Sequence, residues 1–96
     1  MPQGNDATVQ SFDSSLPWGL HPQVALRDEA FGALAYHYGN RRLVFLKSRD
    51  LVELVRALET HDTADQAITA TVPEEDHERY ERALSRLVGS EIISVR

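Results

Sequence analysis

His21, His37, His61 and His77 are the side chains in this sequence best suited to holding a metal or moving a proton. No two of them stand at the i, i+4 spacing by which a helix presents a zinc pair, and HExxH is absent. His37, set among tyrosines on an expected strand, reads as a packed or surface residue. The acidic run Glu74, Glu75, Asp76 can draw a cation, but it equally suits the positive end of a helix. Ser48, Ser85, Ser90 and Ser94 have no base beside them in the chain, although a Ser-His-Asp set assembles in space and not in sequence. Gly32 and Gly39 do not make a phosphate cradle. There is no cysteine, which removes thiolate metal sites, disulfides and a thiol nucleophile. A domain this small has little room for a concave pocket beside its core. Catalysis is not expected, nor any cofactor.

The elements that must position these residues come from a chain of 96 residues, 42% hydrophobic and 26% charged, enough for one domain. Such a chain buries roughly 60–65% of its unfolded surface, so its core is thin. A net charge of -5 opposes general affinity for nucleic acid or an anionic membrane. No signal peptide and no run of about 20 apolar residues is present, and a soluble cytoplasmic protein is expected.

Residues 1–15, "MPQGNDATVQSFDSS", are polar and aperiodic and read as a disordered arm ahead of a single domain at 16–96. "LPWGLHP" cannot be a regular helix between its prolines, and Trp18 and Leu20 are expected to pin the arm to the surface. Three strands follow: "QVALRDE", "FGALAYHY" and "RRLVFLKS". Gly39-Asn40 suits a two-residue type II′ turn between the last two. That turn sets Tyr38 against Arg41, Tyr36 against Leu43 and Leu34 against Phe45 on one face. On the other, His37 meets Arg42, Ala35 meets Val44 and Ala33 meets Leu46. The small alanines leave space for a helix, so Val44 and Leu46 are the expected core face.

Helical spacing begins after Ser48, a suitable cap, with Leu51, Leu54, Val55 and Leu58 in a stripe. Asp62 or Thr63 opens a shorter helix with Ala64, Ala67 and Ile68 inward. After Pro73 the longest helix carries Tyr80, Ala83, Leu84, Leu87 and Val88, with Glu75–Arg79 and Glu78–Arg82 as i,i+4 pairs. Gly89 is the expected stop, and "EIISVR" trails as an extended piece or tail. The sum is an α+β, winged-helix-like fold: a three-stranded antiparallel sheet followed by three helices that must cover it.

In such a meander the third strand is an edge. Arg41, Arg42 and Lys47 either only guard it against unwanted pairing or flank an edge kept open for an added peptide strand. A winged-helix regulator that binds nucleic acid is the alternative from another class. It would read DNA with its third helix, but residues 74–88 carry five acids against three arginines, the wrong sign for facing phosphates.

The segment from Trp18 to Leu58, with "LHPQVALR", "FGALAYHYG", "RRLVFLKS" and the leucine-rich helix, resembles the peptide-chaperone family of mycofactocin biosynthesis. That family is a stand-alone form of the RiPP recognition element, similar to the chaperone of pyrroloquinoline quinone biosynthesis. With "YERALSRLV" the resemblance covers nearly everything beyond the first 15 residues. It implies capture of a precursor peptide's leader as an extra strand, and its presentation to a radical S-adenosylmethionine maturase. Arg42, Leu43, Val44, Phe45, Leu46 and Lys47 would lie along that peptide. His77, Tyr80, Glu81 and Leu84 would face it from the third helix, although Tyr80 and Leu84 read equally well as core. The iron–sulfur cluster and S-adenosylmethionine would belong to the maturase.

Overall fold

A computed structural model describes residues 12–96. The chain runs β1 (Trp18–Leu20), β2 (Val24–Glu29), β3 (Gly32–His37), β4 (Leu43–Leu46), α1 (Arg49–Ala57), α2 (Ala64–Thr71), α3 (His77–Gly89) and β5 (Ile93–Val95). Short 3-10 turns at Leu58–Thr60 and Glu74–Asp76 follow α1 and precede α3. The antiparallel sheet β2-β3-β4 followed by three helices is the α+β, winged-helix-like arrangement expected.

The register across β3 and β4 is also the expected one: Ala33 faces Leu46, Leu34 faces Phe45, Ala35 faces Val44 and Tyr36 faces Leu43. Ala33, Ala35 and Leu46 are fully buried, and α1 packs against this face. Val44 is half-buried against the same core.

The turn between these strands is not the two-residue type II′ form. Residues 38–41 make a longer loop, and the residue with positive φ is Arg41, at 65°. The Arg41 N–H donates to the His37 carbonyl at 2.8 Å, and the His37 N–H donates to the Arg42 carbonyl at 2.9 Å. The His37 side chain decides the shape. Its Nδ1 accepts from the Gly39 and Asn40 N–H groups at 3.0 and 3.1 Å, supplying an acceptor that a two-residue turn would not need. Gly32, by contrast, needs to be glycine: its φ is 153°, and a Cβ there would collide with the Leu46 carbonyl.

A second sheet, of β1 and β5, went unforeseen. Trp18 pairs with Val95 and Leu20 with Ile93. Trp18 is not a surface pin: it has 0% exposure at the centre of the core. Of the expected arm, residues 1–11 lie outside the described residues. Residues 12–15 are held against the body, where the Ser14 carbonyl accepts from Asp65 N–H at 2.8 Å.

Ser48 caps α1 through its hydroxyl, which accepts from Leu51 N–H at 3.0 Å, and Thr63 caps α2 in the same way. The buried side of α1 is Val52, Leu54 and Val55, with Leu51 only partly covered. Along α3 the buried positions are the five foreseen, Tyr80, Ala83, Leu84, Leu87 and Val88. Arg82 pairs with Glu78 at 3.8 Å, whereas Arg79 pairs with Asp76 at 3.4 Å and not with Glu75.

The stop is not Gly89. The left-handed residue is Glu91, with φ 63°. Ile92 N–H donates to the Leu87 carbonyl and Glu91 N–H to the Val88 carbonyl, the paired bonds of a Schellman ending. Ile92 and Leu87 are both buried, so an apolar contact seals the end that a glycine usually marks.

Candidate functional site

Nothing among the described residues groups three or more metal-binding side chains. Each histidine has a ring nitrogen engaged by a main-chain group. His21 Nδ1 accepts from Gln23, His37 Nδ1 from Gly39 and Asn40, while His61 and His77 bond the carbonyls of Ala57 and Val72. Ser48 is spent as a helix cap. No described helix is long and apolar enough to cross a membrane.

Both outer strands of the three-stranded sheet, β2 and β4, keep one side unpaired among the described residues, and β4 is the one with exposed large apolar side chains. It has β3 on one side, and no described strand pairs with the other. The bond from His37 N–H to the Arg42 carbonyl identifies those two as a hydrogen-bonded pair. Antiparallel pairs alternate, so Val44 and Leu46 also turn their N–H and C=O groups toward β3. Leu43 and Phe45 therefore aim theirs at the open side.

The same residues are bare on the sheet's outer face. Leu43 and Phe45 are each 54% exposed, Tyr38 is 60% and Phe31 is 43%. Among the described residues these are the exposed large apolar side chains; the rings of Phe31 and Phe45 are 5.9 Å apart, and Tyr38 meets Tyr36, the cross-strand partner of Leu43, edge-on at 5.2 Å. A cluster of this kind marks a contact surface more often than a stray exposed residue does. Arg41, Arg42 and Lys47 stand exposed around it and make no ion pair among the described residues.

The residues expected along a peptide thus fall into two sets. Arg42, Leu43, Phe45 and Lys47 are accessible, while Val44 is half-covered and Leu46 belongs to the core. On α3, Leu84 is wholly buried and Tyr80 nearly so, and both join Leu46 in one apolar cluster. His77 and Glu81 keep partial exposure. Phe31, given no role from sequence, stands beside Phe45 on the outer face, and Tyr38 stands beside Tyr36. The available signal was the aromatic content of "FGALAYHY", whose tyrosines share one face with Leu43 and Phe45.

The model of the Peptide chaperone MftB family matches residues 17–94. The chain belongs to the MftB peptide-chaperone family. It is 45% identical over 88 residues to the peptide chaperone MftB of Mycobacterium ulcerans, covering 91% of this chain and 81% of that protein. The MftB of Mycolicibacterium smegmatis is 45% identical over 84 residues, covering 86% and 82% of the two chains. That of Mycobacterium tuberculosis is 42% identical over 92 residues, covering 95% and 84%. No solved structure gives a significant match. The MftB match runs from β1 into β5 and includes the open β4 edge.

Proposed function

We propose that this protein is a non-catalytic peptide chaperone of mycofactocin biosynthesis, working in the cytoplasm. It captures the leader of a ribosomally made precursor by strand addition to β4 and presents it to a radical S-adenosylmethionine maturase. Family membership supports the chaperone role. The observation that carries the capture mode is the outward aim of the Leu43 and Phe45 main-chain groups along an edge with no described partner. Arg42, Leu43, Val44, Phe45, Leu46 and Lys47 lie along the guest. His77 and Glu81 are the helix positions with surface to offer it, and Tyr80 and Leu84 support the strand from within the core.

Titrating isotopically labelled protein with the leader peptide tests this. Chemical-shift changes are expected at residues 41–48, with new protection of the Leu43 and Phe45 amides from hydrogen exchange. Response to duplex DNA and none to peptide would instead support a nucleic-acid-binding regulator. The exposed acids Glu74, Glu75 and Glu78 around the start of α3 already oppose that reading.

A further inference from the structure

We infer that the β4 edge selects an extended peptide by the side chains it lays on the outer face of the sheet. The guest carries large apolar residues at alternate positions, bounded by acidic residues at both ends. This rests on strand addition at β4 and names what the added strand must contain.

An added strand lies about 4.8 Å from β4, and its side chains directly opposite Leu43 and Phe45 share their face with Cβ atoms roughly 5 Å away. That face has no cover. Both residues are 54% exposed, and the Phe31 ring, 5.9 Å from Phe45, extends the apolar strip toward the β2–β3 turn. The inner face offers less: Leu46 is sealed in the core and Val44 is half-covered. A guest therefore recovers apolar burial chiefly from its outward-facing positions, every second residue.

The ends add charge. Arg42 precedes β4 and Lys47 follows it, both exposed and unpaired among the described residues. This arrangement also says which guest is unwelcome. In a two-fold antiparallel pairing of two copies, the Arg42 end of one strand meets the Lys47 end of the other. Like charges then gather at both ends of the ribbon, which is destabilising. A chain with acidic ends reverses that sign whichever way it runs, so the edge favours an acidic-flanked guest over its own copy.

Three synthetic octapeptides test the inference: alternating leucine and threonine with aspartate at each end, the same with lysine at each end, and an aspartate-ended all-threonine chain. Binding to the full chain is followed by fluorescence anisotropy and amide exchange. The first is expected to bind about tenfold or more tightly than either of the others. Phe45→Ser and Phe31→Ser are each expected to erase most of the first peptide's preference over the all-threonine chain, but not over the lysine-ended one, while leaving the far-ultraviolet circular dichroism unchanged. Failure of the first peptide to bind at millimolar concentration, or affinities within twofold across all three, would overturn the inference. If Leu43 and Phe45 amides are protected in every complex but the affinities match, strand addition survives and only the selection rule falls. Binding without that protection removes strand addition itself.

Discussion

The indole N–H of Trp18 donates to the main-chain carbonyl of Asp13 across 2.7 Å. Phe12 packs beside the same ring, its centroid 5.6 Å away. One buried side chain thus ties the segment before β1 to the core and fills the space beneath the β1–β5 pair. Trp18→Ala is expected to cost about 3–5 kcal/mol, the range for emptying a large aromatic site. Trp18→Phe keeps much of the volume but strands the carbonyl, and should fall between the two. Urea unfolding followed by circular dichroism measures both.

Asp13 also answers to pH. The Ser15 hydroxyl and then the Ser15 N–H donate to its carboxylate, at 2.7 and 3.0 Å, and hold its pKa below the ordinary aspartate value. A depressed folded pKa contributes stability above the unfolded pKa, and that contribution disappears as pH falls through the lower, folded value. Stability should therefore decline on the acid side of that range, and Asp13→Asn should flatten the decline. Denaturation midpoints taken from pH 6 down to pH 2 check it.

The end of α3 holds a non-glycine residue in left-handed backbone, while the glycine two residues earlier is helical. A Cβ at Gly89 would meet nothing within 4 Å. Gly89→Ala is expected to stabilise by about 0.5–1 kcal/mol. Glu91→Gly should relieve the left-handed strain and gain up to about 1 kcal/mol after the added unfolded-state entropy is counted. Thermal midpoints of the single and double variants provide the measurement. A drop for Glu91→Gly would mean that its side chain does more than occupy the turn.

Proline scanning separates the two sides of β4. At Val44 it removes a bond to β3 and should loosen the hairpin itself. At Phe45 it removes a donor that points outward, a position where an edge strand tolerates proline. Phe45→Pro, set against Phe45→Ala to allow for the lost ring, is expected to keep the fold and lower leader affinity about tenfold further. Equal affinities for the two Phe45 variants would speak against main-chain pairing there.

Much of this fold was legible because its signals are local or periodic. A turn centred on Gly39-Asn40 set the hairpin register, which held because the longer loop 38–41 has the same centre, and the helical stripe of α3 named its buried residues. What escaped depends on pairs distant in sequence or on a single side chain. Trp18 and Val95 lie at opposite ends of the chain, in strands of three residues each, too short for alternation to show. The hairpin turn follows His37 Nδ1 and not the Gly39-Asn40 dipeptide. At the candidate site, periodicity places Tyr80 and Leu84 on the apolar side of α3, but only packing assigns them to the core. Phe31, in a turn, carries no pattern at all; its nearness to Phe45 comes from the sheet's geometry.

Gly32 has a mechanical side. A side chain there would strike the Leu46 carbonyl and crowd the N–H of Ser48, the residue whose hydroxyl caps α1. The end of β4 and the cap of α1 thus both come close to Gly32, which keeps this corner free of side chains. In the proposed strand addition the guest must straighten to match an edge that β3 already holds extended, so the ordering cost falls mainly on the guest.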